Sequence, residues 1–363
     1  MHGALGSKNE CREKKPVNRV AYLDVLRAAA CLAVVMLHIG AEYAVREPGS
    51  VDFWVGNLVD SISRMAVPLF VMISGALMLD ENYALTKEKW KKHIRKLALF
   101  YLFWSIAYTV VFGILRIKFI YGKPVYAVNV ILSIFNGYVH LWFIPMMIGL
   151  YLLLPLLRLW VKRENIRHVE YFLGLSAVFS FIIPHALALL AYVNPFVENV
   201  ALFDKMDMAD YFGYTAYFVL GWYLNNRKIE KTALWLMTAF AAASVTVVGT
   251  YAEQMLTGSG KFIFYDEFSV NVLAYSVAVF ALCRAKLGGK QAADIPLHRA
   301  VSWIAENSMG IYAVHMAILY VLTSLCSSVP AILAVPVMFI ACVLLSGVSA
   351  MILRRIPVLK KLV

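Results

Sequence analysis

The sequence predicts an all-α, polytopic transmembrane bundle of about ten helices with both termini in the cytoplasm. Of its 363 residues, 61% are hydrophobic and only 15% charged, mean hydropathy is +0.71, and long apolar runs recur between short polar gaps. No water-soluble domain of this length could carry so apolar a surface, so its solvent is lipid. A bilayer core about 30 Å thick needs roughly 20 apolar residues per helix. Helices follow because in lipid each backbone N–H and C=O must be satisfied within its own segment, and the alternation of barrel strands is absent.

Spans are expected at about 21–43, 54–79, 97–117, 140–160, 169–193, 209–224, 232–252, 269–284, 301–325 and 331–353. The sixth, YFGYTAYFVLGWYL, is short and aromatic, and 125–139 could add an interfacial helix before the fourth. Residues 1–20 lack an apolar core followed by a small-residue cleavage site, so no signal peptide is read there. Three parts result: a basic, disordered cytoplasmic segment (1–20), a transmembrane domain (21–353) and a basic cytoplasmic tail (354–363). The five cysteines have no CxxC or metal-ligand spacing, so neither a disulfide frame nor a metal site is expected.

Lys and Arg set the orientation, because they accumulate in cytoplasmic loops. With the N-terminus inside, 26 of the 34 basic residues fall in cytoplasmic segments and only six in outer loops: Arg46, Arg116, Lys118, Lys123, Lys205 and Lys261. The other two, Arg27 and Arg64, lie inside spans. The net charge of +12 therefore marks topology rather than a nucleic-acid footprint, since it is spread over membrane-flanking loops. The densest run holds Lys91, Lys92, Arg95 and Lys96, which suit anionic lipid heads or a phosphorylated ligand. The outer acids, among them Glu198, Asp204, Asp207, Asp210, Asp266 and Glu267, read as solvation.

Ionisable groups deep in lipid cost about 2.5 to 3.5 kcal/mol each on insertion scales, so they face the bundle interior and mark a site. The first span aligns Asp24, Arg27, Cys31, His38 and Glu42 at helical spacing, one polar seam in an apolar helix. Arg27 and His38 are about three turns apart, roughly 16 Å of rise. Asp24 and Arg27 belong near the cytoplasmic boundary, His38 and Glu42 in the outer half. The bland alternative is an interfacial Asp24 and Arg27 pair, with His38 bonded to a neighbouring carbonyl.

In the second span Asp60 and Arg64 are one turn apart, which fits a catalytic pair and a structural one equally. Ser74 beside Gly75 suits close helix approach. His140 and Trp142 open the fourth span at the outer interface, and His185 after Pro184 reads as a bundle residue. The ninth span sets Ser308, Tyr312 and His315 on one inward face.

Together these residues resemble the acyltransferase family 3 of membrane-bound acyltransferases, mostly bacterial enzymes that O-acylate extracytoplasmic glycans, lipids or antibiotics. The likeness runs the length of the helical chain. Its most specific element is Arg, ten residues, then His, here Arg27 and His38 within YLDVLRAAACLAVVMLH. VPLFVMISGALML, KKHIRKLALFYLFW, HLWFIPMMIGLYLLLPLL and SMGIYAVH follow in the family's order.

The resemblance implies an acyl-CoA donor, usually acetyl-CoA and without a metal, bound from the cytoplasm, and transfer to a hydroxyl reached from the other side. His38 matches the family's essential histidine and Arg27 its essential arginine. A catalytic group of His38, Arg64, Glu42 and Asp60 is expected: His38 as general base, Glu42 or Asp60 orienting it, and Arg64 steadying the oxyanion or ordering His38. A covalent acyl-His38 relay is the other route. Donor binding is expected at Asp24, Arg27, Lys91, Lys92, Arg95 and Lys96, with Ser74, Trp142, Ser308, Tyr312 and His315 along its path. Some relatives carry a fused extracytoplasmic domain. This chain ends ten residues after its last span and looks most like the stand-alone branch acting on surface polysaccharides, in a bacterial cytoplasmic membrane.

Expected partners are acyl-CoA, an extracytoplasmic saccharide or glycolipid acceptor, the lipid bilayer and no nucleic acid, with a homo-oligomer left open. The rival expectation is a secondary transporter of a small polar or anionic solute. Against it, the polar seam of the first two spans has no counterpart near spans six and seven.

Overall fold

The structure is a computed structural model describing residues 20–112, 127–194, 208–258, 260–357 and 359–361. The basic segment before residue 20, Arg116, Lys118, Lys123, Lys205, Glu198, Asp204 and Asp207 lie outside the described residues, as does the end of the expected 97–117 span. The described chain is helical, and nine of its helical stretches are long and apolar enough to cross a membrane.

The first span is α1 (Ala21–Ala44), which ends before Pro48 and Gly49. The second is two helices, α2 (Val51–Ser63) and α3 (Ala66–Met78), with Arg64 and Met65 in the break. Ser50 caps α2 by accepting from Phe53 N at 3.1 Å. Pro68 explains the break: it has no N–H to return to the Arg64 carbonyl, so the ladder stops there and restarts. Helix α4 (Lys87–Tyr108) begins at a Thr86 cap. The expected interfacial helix is present as α5 (Ala127–Asn136) and ends at Gly137, whose φ of 71° favours glycine. Tyr101 and Ser105 of α4 donate to carbonyls of α5 and hold it.

Next come α6 (Phe143–Trp160), α7 (Ile166–Ser176) and α8 (Ile183–Val193), the last two joined by a wider π turn over Ala177–Ile182. Pro184 accounts for that turn, because the Ser180 carbonyl loses its normal donor. Helix α9 (Met208–Asn225) is the short aromatic span. Its tyrosines, Asp210 and Asn225 leave it less apolar than the nine stretches, and other helices surround it: Tyr217, Phe218 and Trp222 are fully buried. It packs on α3 through two glycines, and a Cβ on Gly75 or Gly221 would collide with the Phe218 or Met72 carbonyl. Two hairpins complete the bundle, α10 (Thr232–Thr257) with α11 (Val270–Leu287) and α12 (His298–Leu325) with α13 (Ala331–Arg355).

Helix α1 is central and touches α2, α3, α11, α12 and α13. One core gathers Leu26, Leu69, Met72, Phe218 and Phe280; another gathers Val35, Ile39, Ile311 and Met338.

Polar ties define two ends. Near the start of α1, Tyr22 donates to the Asn225 side chain, and Arg284 lies over the Tyr22 ring at 5.4 Å. Arg158 binds the Met78 and Tyr83 carbonyls at 2.6 and 2.9 Å, and Arg163 binds Asn226. At the far end Ala331 N donates to Asp52 at 2.8 Å, and Tyr265 donates to Asn57 at 2.7 Å. The loops that carry most of the bases are thus gathered at the end where α1 starts, the grouping that the charge pattern requires.

Candidate active site

Between the middle of the bundle and its far end lies a cavity of about 360 Å³. Helix α1 contributes Val34, Leu37 and His38; the α2–α3 break and α3 contribute Arg64, Val67 and Phe70; α12 contributes Ser308, Met309 and Tyr312. His140, Trp142 and Phe143 at the entry to α6, with Tyr265 and Glu267 between α10 and α11, close it. The one-turn spacing of Val34, Leu37 and His38 puts all three on the same face of α1.

Three imidazoles meet beside this cavity. The His38 and His315 rings are 5.3 Å apart between centroids, and His140 is 5.2 Å from His315. His315 is fully buried, and its Nδ1 lies 2.7 Å from the Tyr312 carbonyl. A carbonyl only accepts, so Nδ1 carries the proton of the neutral ring and Nε2 holds a free lone pair. That Nε2 has no partner, nor has either ring nitrogen of His140. Tyr312 OH donates to the His140 carbonyl at 2.5 Å, fixing the α6 entry against α12. Among the described residues no cluster of three His, Cys, Asp or Glu has metal-holding geometry.

Arg64 forms the second element. Its Nη2 is 2.5 Å from Asp60, its Nη1 donates to the Tyr265 carbonyl at 3.3 Å, and its guanidinium lies 4.1 Å over the Tyr265 ring. Nε has no partner. Asp60 is 1% exposed, and its neighbour Gly40 allows α1 to touch the α2 backbone. Arg64 and His38 line the same cavity. The helix break puts Arg64 there: at a helix end its side chain reaches into the cavity while its backbone leaves the ladder.

The structure brings only part of the expected set together. His38, Arg64, Trp142, Ser308 and Tyr312 line the cavity, and the His315 ring packs at a tilt against His38. Asp60 faces Arg64 rather than His38, and Glu42 is exposed and absent from the lining. The expectation that one of these acids orients His38 therefore meets a different geometry: His315 is the polar ring packed on it. Asp24 and Arg27 pair at 3.2 Å nearer the start of α1, one turn before Cys31, whose thiol faces the Ser308 carbonyl. Ser74 donates to the Phe70 carbonyl at 2.9 Å within its helix, outside the lining. Lys91, Lys92, Arg95 and Lys96 are all exposed at the α1-start end.

Sequence reasoning left His140, Phe143, Tyr265 and Glu267 out of the site. Glu267 corrects the reading of the outer acids as solvation, because it lines the cavity and accepts the Tyr214 hydroxyl. Its DEF neighbourhood carries no pattern that separates it from Asp266, and only the fold of the 258–269 connection does. His140 was legible as a polar residue beside Trp142, but its approach to His315 needed the contact between the α6 entry and α12.

A polytopic helical bundle closed around imidazole, guanidinium and carboxylate groups has the make-up of an intramembrane enzyme. The family model described as an acyltransferase domain, acyltransferase family 3, matches residues 20–351, and the chain belongs to that family. It is a membrane acyltransferase, which sets aside the transporter expectation. No curated protein and no solved structure matches the chain.

Proposed function

We propose that the protein moves an acyl group, acetyl in the first instance, from cytoplasmic acyl-CoA to a hydroxyl of an extracytoplasmic saccharide or glycolipid. The packing of His38 on the buried, tautomer-fixed His315 at the edge of a cavity that also holds Arg64 carries this reading. An alcohol is a poor nucleophile until a positioned base removes its proton. Neutral His38 takes that proton as the acceptor oxygen attacks the thioester carbonyl carbon. The oxyanion that forms meets the Arg64 guanidinium, whose Nε–H has no other partner. Collapse expels the CoA thiolate, which recovers the proton from the His38 imidazolium. His315 supports His38 by offering its Nε2 lone pair to the charged ring.

The donor enters from the end where α1 starts. Lys91, Lys92, Arg95 and Lys96 meet its phosphates, the Asp24 and Arg27 pair borders its path, and the 16 Å of rise from Arg27 to His38 suits an extended pantetheine arm, taking roughly 1.5 Å per residue. Trp142, Ser308 and Tyr312 shape the reactive end. The orientation given by Lys and Arg makes this side cytoplasmic, as in a bacterial inner membrane.

The test is CoA release from acetyl-CoA by purified protein, with and without acceptor glycans from the source cells. Wild-type protein is expected to release CoA in an acceptor-dependent way and His38→Ala to lose that release; equal release by both would remove His38 from the mechanism. Single-turnover labelling with radioactive acetyl-CoA and no acceptor distinguishes the routes, since label retained on the protein indicates an acyl-His38 relay.

A further inference from the structure

A second cavity, about 320 Å³, opens on the far end of the bundle. The end of α1 (Ala41, Ala44, Val45), the Asp60 and Arg64 pair, and Lys261, Phe262, Tyr265, Asp266 and Glu267 of the α10–α11 connection line it. Three of these residues, Arg64, Tyr265 and Glu267, also line the histidine cavity, so the two spaces share one wall. Nothing in the donor path uses this outer space. It lies across the Arg64 wall from His38, on the side opposite the basic end, and its size is within the range of small-molecule pockets.

Its chemistry is specific. The Phe262 and Tyr265 rings lie parallel at 3° with centroids 5.5 Å apart, and Arg64 covers Tyr265 at 4.1 Å. Tyr265 is therefore enclosed, while half-buried Phe262 is the aromatic surface at the mouth. An aromatic face of this kind packs on the C–H face of a saccharide ring, and carboxylates accept hydrogen bonds from its hydroxyls. Asp266 is exposed at the mouth, and Glu267 sits deeper with the Tyr214 hydroxyl on its carboxylate. Asp60 adds an independent sign: it is 1% exposed, it lines this space, and its Oδ1 has no partner although Oδ2 is committed to Arg64. A buried carboxylate oxygen left without a donor is costly, and a ligand hydroxyl supplies one.

Charge narrows the class. Asp60 and Arg64 neutralise each other, which leaves Asp266 and Glu267 against Lys261 and an excess of one negative charge in the lining. Such a lining repels carboxylated or sulfated sugars and accepts neutral ones.

We propose that this outer cavity is the acceptor subsite, and that it selects an uncharged saccharide ring seated on Phe262 with hydroxyls on Glu267 and Asp60. The assignment rests on the acyltransferase reading above, because the ring must present a hydroxyl past Arg64 to His38. Two steps of recognition are then separate in space, donor from the basic end and acceptor from the acidic aromatic end.

Saturation-transfer NMR on the full chain in lipid nanodiscs, without donor, tests it with methyl glucopyranoside and methyl glucuronide as probes. The glucopyranoside is expected to receive transfer and to bind at least tenfold more tightly than the glucuronide. Phe262→Ala is expected to lower the transfer at least fivefold, with Phe262→Tyr restoring it, which separates loss of the ring surface from misfolding. Glu267→Gln is expected to narrow the gap between the two probes. Equal or tighter glucuronide binding overturns the proposal, as does neutral-probe binding indifferent to Phe262→Ala. Acetyl-CoA binding, followed in parallel by calorimetry, keeps the two readings apart. Glycoside binding in a protein that never transfers acetyl groups counts against the enzymatic reading alone, and acetyl transfer without glycoside binding counts against this subsite alone.

Discussion

Helices α1 and α10 are both long and apolar enough to cross a membrane, yet 56% of the apolar stretch of α1 is buried inside the bundle against 11% for α10. Hydropathy reports only that both cross lipid. Burial separates a helix face that lipid solvates from one that other helices solvate, and ionisable groups inside the bilayer belong on the second. The same contrast divides the α2–α3 stretch, 56% buried, from the 163–193 stretch, 17% buried, although the latter is the more apolar. The candidate site lies on the buried pair: His38, Asp60 and Arg64 are on α1 and α2–α3, whereas α10 presents Leu236, Met237 and Phe240 outward.

The largest test of this division is His38→Ala, expected to lower acyl transfer by roughly 10²- to 10⁴-fold, the range of a lost general base, with normal membrane insertion. Acceptor-dependent product formation measured by mass spectrometry decides it. Next comes Arg64→Met, which strands buried Asp60 and is expected to destabilise the bundle by about 3 kcal/mol in denaturation of the purified protein. Pairing it with Asp60→Leu should recover most of that stability and none of the activity. A single variant as stable as wild type would show that the pair is solvated rather than enclosed.

Smaller effects sharpen the boundary between the regions. Gly75→Val pushes a side chain into the Phe218 carbonyl and is expected to cost about 1 to 3 kcal/mol, read as a lowered midpoint of thermal unfolding. Gly174→Ala, on an exposed turn of α7 where an added Cβ meets nothing, is expected to be neutral or to stabilise by up to about 1 kcal/mol. Leu236→Val on the lipid face of α10 is expected to stay within about 0.5 kcal/mol of wild type. Equal losses from Gly75→Val and Gly174→Ala would erase the distinction.

The seam on α1 was legible because a 3.6-residue period can be read from sequence, and Asp24, Arg27, Cys31 and His38 do follow it. Glu42 shows its limit. It obeys the same spacing, but α1 ends at Ala44, where the bundle no longer covers that face and the side chain meets solvent. The Asp60 and Arg64 pair was legible from its one-turn spacing. The break that frees Arg64 was not, because Pro68 in an apolar run is equally compatible with a kinked continuous helix.

By itself the sequence determined the solvent, the helices, their order across the membrane and the candidate base, because each follows from local composition and short-range period under the rule that backbone polar groups must be satisfied in lipid. Tertiary structure alone decided that His315 rather than Glu42 or Asp60 packs on His38, that Glu267 belongs to a cavity, and that two cavities share the Arg64 wall. Those facts join residues up to 277 positions apart, such as His38 and His315, and no local pattern encodes which helix faces meet. They are set by packing, through glycines at the α3–α9 contact and the fit of α1 among five neighbours, where each helix finds its place only when the others are present.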